Sequence, residues 1–128
     1  IREFTKGRLI CVFGCGGGRD KEKRPIMGEI SGRLADYSIL TSDNPRLEDP
    51  MEILREIEAG IQPTGAPYTV IENRREAIRF AMQMGKPGDV IVLAGKGHET
   101  YQDIGGRKLP FDEKAVVREL LSEMELVE

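Results

Sequence analysis

The sequence predicts an α/β domain: a mostly parallel sheet flanked by helices, with a small antiparallel hairpin near the C-terminus. Three observations carry that prediction. Consecutive apolar residues in Leu9-Ile10-Cys11-Val12-Phe13 and Val90-Ile91-Val92-Leu93-Ala94 read as strands buried on both faces. Segments with apolar residues at helical spacing separate the strand-like runs. The joins are short and rich in Gly, Pro, Asn and Asp, as a chain alternating strand and helix requires.

The first strand, Leu9 to Phe13, ends at Gly14, and a charged glycine-rich loop runs on through Arg24. Pro25 suits the first position of a helix, where its missing N–H is not needed. Ile26, Met27, Ile30 and Leu34 recur there at helical spacing. Tyr37 to Thr41 is the second strand. Asp49-Pro50 opens the next helix, with Met51, Ile53, Leu54 and Ile57 as its buried side and Gly60 as its stop. Pro63 to Pro67 is a loop, and Tyr68 to Ile71 is the third strand.

Asn73 with Glu76 forms a capping-box-like start for the helix carrying Ala77, Ile78, Ala81 and Met82. Pro87-Gly88-Asp89 turns the chain into the strand Val90 to Ala94, which a second glycine loop, Gly95 to Glu99, follows. Gly105-Gly106 between Tyr101–Ile104 and Arg107–Leu109 signals a hairpin. Asp112 caps a last helix through Val116, Leu120, Leu121 and Met124. The opening Ile1-Arg2-Glu3-Phe4 reads as the end of a helix begun upstream, in a longer protein.

At 128 residues the chain suffices for one domain with a real core. A formal charge of -3 gives no field that draws nucleic acid or an acidic membrane. An aromatic content of 5% without Trp leaves no stacking platform for bases. No apolar run reaches the length of a membrane span, and no signal-peptide pattern is present. Cys11, Cys15 and the one histidine, His98, do not make a zinc site. A cytoplasmic protein with free thiols is the expectation.

Chemistry concentrates in the loops that follow strands: Gly14 to Arg24, Ser42 to Arg46, and Gly95 to Glu99. In a parallel sheet such loops leave the carboxyl ends of the strands, where ligands collect, so one shared site is expected. Asp43-Asn44-Pro45-Arg46 is a good turn sequence. It also carries an acid for an ammonium and a guanidinium for a carboxylate, with Pro45 holding the backbone stiff between them. The dinucleotide fingerprint fails after Gly14-Cys15-Gly16, because Arg19 stands at the third glycine position. The second loop fails as a P-loop, since Gly97 follows Lys96 and Val90 stands where a glycine is required.

There remain Arg19, Asp20, Arg24, Asp43, Asn44, Arg46, Lys96, His98 and Glu99 at one edge. Taken singly these are ordinary surface charges. Taken with the glycines, which let backbone approach a ligand, they fit a small ligand of opposed charges.

Three stretches then resemble the Mur ligase family: Val12 to Asp20 with Lys23-Arg24-Pro25, Thr41 to Arg46, and Ala94 to Thr100. The similarity spans essentially the whole chain, in order, and is nearest to the branch that adds meso-2,6-diaminopimelate. It implies a Rossmann-like fold used without a dinucleotide. It implies that residues 1–128 form one domain, the C-terminal amino-acid-binding domain, lacking the N-terminal and central ATP-binding domains. The implied activity is ATP-dependent amide-bond formation in peptidoglycan precursor synthesis. ATP and Mg2+ would serve the full-length enzyme through the central domain, with no cofactor expected in this fragment. UDP-N-acetylmuramoyl-L-alanyl-D-glutamate would likewise be held by the missing domains, and a monomer is expected.

Carried over by motif, the implied diaminopimelate site is Arg19, Asp43, Asn44, Pro45, Arg46, Gly95 and Glu99, with no catalytic residue and no metal ligand. Lys96 and His98 would face the phosphates or shape the loop. Diaminopimelate differs from lysine by a far carboxylate, for which Arg46 is the natural receptor, while Glu99 can hold the far ammonium. A lysine would leave a buried guanidinium unpaired, a cost of about 2–5 kcal/mol. The resemblance implies that relatives commonly carry Asp where this chain has Asn73, before the helix that contains Arg74, and Asn caps equally well. Two other readings stay open. One is a stand-alone α/β module binding a nucleotide or partner without ligation, and the other is a relative adding a different amino acid.

Overall fold

The computed structural model describes residues 7–18, 21–94 and 101–127. Strands β1 (Leu9–Phe13), β2 (Tyr37–Leu40), β3 (Tyr68–Val70) and β4 (Val90–Leu93) form one sheet in the order β3-β2-β1-β4. All its pairs are parallel, with Val12 beside both Ile39 and Leu93. The chain therefore winds outward from β1 through β2 to β3 and returns to the other side of β1 at β4. This reversal places a crevice at the carboxyl end of β1. Strands β5 (Tyr101–Ile104) and β6 (Arg107–Pro110) make a separate antiparallel hairpin. Gly105 and Gly106, with φ 65 and 81, supply the left-handed pair that its tight turn needs.

Helices α1 (Lys23–Leu34) and α2 (Pro50–Ile61) lie on one face of the sheet, and α3 (Arg74–Met84) lies on the other beside α4 (Glu113–Val127). Alternation along β1 explains both layers. Phe13 joins Leu40 under Ile53, Leu54, Ile57 and Ile61 of α2, while Ile10 and Val12 join Ile39 under Ala77 and Ala81 of α3. Ile78 then meets Val116 and Leu120, which docks α4 onto α3. At the amino end of the sheet, Asp89 accepts Arg8 N–H at 2.7 Å and Lys86 N–H at 2.9 Å, and pairs with the Arg8 guanidinium. These bonds hold its carboxyl below the usual carboxylate range, despite the opposing effect of burial.

The expected caps form. Asp49 accepts from Met51 N–H at 3.0 Å, Asn73 accepts from Glu76 N–H at 3.0 Å, and Asp112 accepts from Lys114 N–H at 3.1 Å.

Three details differ from the sequence reading. Helix α1 starts at Lys23, so Pro25 is its third residue, and the apolar repeat of Ile26, Met27, Ile30 and Leu34 is left exposed, Leu34 at 64%, with Met27, Ile30 and Leu34 lining an open groove beside Leu9 and Val92. What α1 buries is Arg24, Gly28, Ser31 and Gly32, because it crosses α2 at close range. A Cβ on Gly28 would stand 2.2 Å from the Ile57 carbonyl oxygen, and one on Gly60 only 1.8 Å from that of Pro25. Gly60 is therefore a contact point inside α2, not its stop. The helix continues to Ile61, passes into a 3-10 turn at Gln62–Thr64, and ends at the left-handed Gly65. Leu121, expected inward, is 47% exposed, and it is Val116 and Leu120 that pack on Ile78 of α3. The side chain of Met124, and Ile1 to Phe4, lie outside what is described.

Candidate functional site

Because β1 and β2 are adjacent and parallel, the loops leaving their carboxyl ends begin side by side. Gly17 N–H donates to the Asn44 carbonyl oxygen at 2.7 Å. The approach is so close that a Cβ on Gly17 would sit 1.9 Å from the Pro45 carbonyl oxygen. Only glycine permits this contact, and it lays the first loop against the Asp43-Asn44-Pro45-Arg46 turn.

The hairpin backs the turn from the other side. Asn44 Oδ1 accepts Asp103 N–H at 2.8 Å. Gln102, buried, donates from Nε2 to the carbonyls of Asp43 and Ser42 at 2.9 and 3.3 Å. Arg46 N–H donates to the Asp103 carbonyl at 2.8 Å, and Gly105 N–H donates to the Arg46 carbonyl at 2.6 Å. These last bonds pin Arg46 in the left-handed region, φ 55, among the described residues the one non-glycine there. Such a conformation costs about 1–3 kcal/mol and persists where surrounding bonds over-determine it.

The tetrapeptide is graded in exposure. Asp43 is 9% exposed, Asn44 and Pro45 are buried, and Arg46 is half-buried. Arg46 Nη1 donates to the Gly17 carbonyl at 2.6 Å and, more weakly, to that of Asn44 at 3.4 Å. Its guanidinium thus lies along the glycine loop.

Arg24 braces the same loop from beneath. It is 1% exposed, donates from Nη2 to the Gly16 carbonyl at 2.9 Å and to Glu48, and reaches Glu56 from Nη1 at 3.1 Å. Glu48 also accepts Gly18 N–H at 3.2 Å. The Arg24 hydrogen bond is the main reason the Glu48 carboxyl sits below the ordinary range. Cys15 donates to Met27 Sδ at 3.5 Å, and burial pushes its thiol up to about 11, although Arg24 opposes that rise.

Of the expected site residues, the structure brings Asp43, Asn44, Pro45 and Arg46 together beside Gly14 to Gly18. Arg19, Gly95, Lys96, His98 and Glu99 lie outside the described residues. Arg24, grouped by sequence with the loop charges, is instead a buried brace. Sequence reading also missed Gln102, Glu48 and Arg74, since polar residues on a hairpin or helix start read as solvated. For Arg24 the available signal was the Lys23-Arg24-Pro25 step, where charge meets a helix start. Among the described residues no cluster of three His, Cys, Asp or Glu side chains is placed to hold a metal ion. No helix among them is long and apolar enough to cross a membrane.

Residues 1–97 match the family model described as Mur ligase, glutamate ligase domain. The UDP-N-acetylmuramoyl-L-alanyl-D-glutamate--2,6-diaminopimelate ligase of Caldanaerobacter subterraneus subsp. tengcongensis is 59% identical over 125 residues, which are 98% of this chain and 26% of that protein. The ligase of the same name from Synechococcus elongatus is 56% identical over 95% of this chain and 24% of its own length. A solved structure of a ligase so named superposes with a TM-score of 0.89 at 44% identity, covering 94% of this chain and 25% of that one. The chain thus spans about a quarter of the length of the relatives it matches. Matched by the family model over most of its length, and sharing the sheet and hairpin with a solved relative, the chain belongs to the Mur ligase family.

Proposed function

We propose that this chain is the C-terminal, amino-acid-binding domain of a cytoplasmic, monomeric ligase that joins meso-2,6-diaminopimelate to UDP-N-acetylmuramoyl-L-alanyl-D-glutamate. The observation that carries the reading is Arg46. Its backbone is held in a strained conformation by the hairpin, and its guanidinium is half-exposed along the glycine loop. A rigidly presented planar fork is suited to a carboxylate, and diaminopimelate has one at the end where lysine has none. A protein named as a ligase for this substrate is 59% identical over 98% of the chain, which supports the same assignment.

In this reading Arg46 binds the far carboxylate, Asp43 presents its acid beside it, and Asn44 holds the turn on the hairpin while offering its carbonyl to Gly17. Arg19, Gly95 and Glu99 complete the site, Glu99 taking the far ammonium. Gripped at its far carbon by two opposite charges, the amino acid keeps its reacting amine in one orientation, which is where a binding domain contributes to rate. ATP with Mg2+, bound elsewhere in the longer polypeptide, supplies the activation of the D-glutamyl carboxylate. The task of this domain is to bind and orient the amino acid and to exclude water.

The test is kinetic, on the full-length polypeptide. Arg46→Ala should raise KM for diaminopimelate by about 30-fold or more, the equivalent of about 2 kcal/mol or more for a carboxylate left unpaired. The weak use of lysine should change little. Equal losses for both amino acids would remove Arg46 from its assigned role.

A further inference from the structure

Arg74, the first residue of α3, is buried to 1% exposure and touches three separate elements. Its Nη1 donates to the Ser42 carbonyl at 3.2 Å, its Nη2 to the Ala94 carbonyl at 3.1 Å, and its Nε to Glu113 at 2.7 Å. Ser42 follows β2 and opens the Asp43-Asn44-Pro45-Arg46 turn, while Ala94 follows β4 and precedes Gly95. β2 and β4 are the two neighbours of β1, so one guanidinium spans the carboxyl end of β1 from behind.

We infer that Arg74 is a positioning residue that ties the start of the Ser42–Arg46 turn to Ala94 at the end of β4, and so fixes where Asp43 and Arg46 stand toward the amino acid. This rests on the diaminopimelate reading, in which Arg46 of that turn binds the far carboxylate. Glu113, 12% exposed at its side chain, orients the fork from α4, so the third donor is not left without an acceptor. A buried guanidinium with all three nitrogens engaged cannot rotate without breaking two loops free together. Lysine at this place would keep the charge opposite Glu113, but its single nitrogen cannot span two carbonyls on different strands.

Two measurements on Arg74→Lys test the inference. In the 128-residue chain, the amides of Asp43, Asn44 and Arg46 should exchange with solvent at least tenfold faster, while those of β1 and β3 stay as in the unsubstituted chain. In the full-length polypeptide, KM for diaminopimelate should rise at least tenfold, with KM for ATP changed less than twofold. Uniformly faster exchange across the sheet would show a merely structural arginine and overturn the inference, as would equal shifts in both KM values. The exchange experiment contains no ligand, so it stands apart from the Arg46→Ala test. If Arg46→Ala behaves as proposed and exchange at 43–46 is unmoved, the clamp is wrong and the substrate reading survives.

Discussion

Arg46 and Gly17 hold two loops together through a single hydrogen bond, from guanidinium Nη1 to carbonyl oxygen, 2.6 Å long. The return contact runs through the backbone, from Gly17 N–H to Asn44. The side chain assigned to read a carboxylate is thus aimed by the glycine loop before any ligand arrives. Pre-aiming lowers the ordering cost of binding.

Gly17→Ala should break that arrangement. The added Cβ meets the Pro45 backbone at 1.9 Å, and backbone cannot swing aside as a side-chain tip would. We expect urea denaturation to show a loss of about 1–3 kcal/mol, the usual result of overpacking. Calorimetry on the full-length polypeptide should show diaminopimelate binding weakened in parallel. Unsubstituted stability with unsubstituted binding would mean the two loops do not touch.

Glu48 predicts a pH dependence. Its carboxyl lies below its ordinary 4.5 in the folded chain, chiefly because Arg24 donates to it. A group whose pKa falls on folding contributes stability above its unfolded value and loses it as pH drops through the folded one. Glu48→Gln should therefore be less stable than the unsubstituted chain at pH 7. The gap should narrow as pH falls below about 4.5. Thermal melts across pH 3 to 7 read this directly, and a gap independent of pH would contradict it.

The thiols should be slow to react. With the Cys15 thiol raised to about 11 by burial, only roughly one part in a thousand is thiolate at pH 8. Burial also raises Cys11, though Ser31 hydrogen-bonds to it and opposes the shift. Iodoacetamide at pH 8 should label the folded chain far more slowly than the urea-unfolded chain, by mass spectrometry. Equal rates would mean that Cys15 is not enclosed.

The helix pair makes a contrast. By helix propensity alone, Gly60→Ala would stabilise α2 by about 1 kcal/mol. The Pro25 carbonyl oxygen at 1.8 Å from the new Cβ reverses the sign, and a loss of about 1–3 kcal/mol is expected. Leu34→Lys, at an exposed position of α1, should stay within about 0.5 kcal/mol. Urea midpoints for the two variants decide between a helix buried by its glycines and one buried by its apolar repeat.

Legibility divides along physical lines. The strands at Leu9, Tyr37, Tyr68 and Val90, and the caps at Asp49, Asn73 and Asp112, follow from local rules that act within a few residues. The α1 face does not, because Gly28 and Gly32 bury as well as leucine does once a neighbouring backbone comes close. Gly60 reads as a stop for the same reason: nothing in a sequence says which residue will lie opposite it. Asp43 to Arg46 were visible as a charged turn after a strand. Their support by Gln102 and Asp103, almost sixty residues on, was not.

By itself the sequence determined the order of strands and helices, the three chemically loaded loops, and the family resemblance that gave Arg46 a carboxylate to read. All of these rest on residue type and spacing along one chain. The tertiary structure alone decided that Arg24 and Arg74 are buried braces, that Arg46 is left-handed, and that the hairpin stands behind the turn. The reason is that a buried charge is stable only where distant carbonyls and carboxylates converge on it, and strand order, not sequence distance, brings them there.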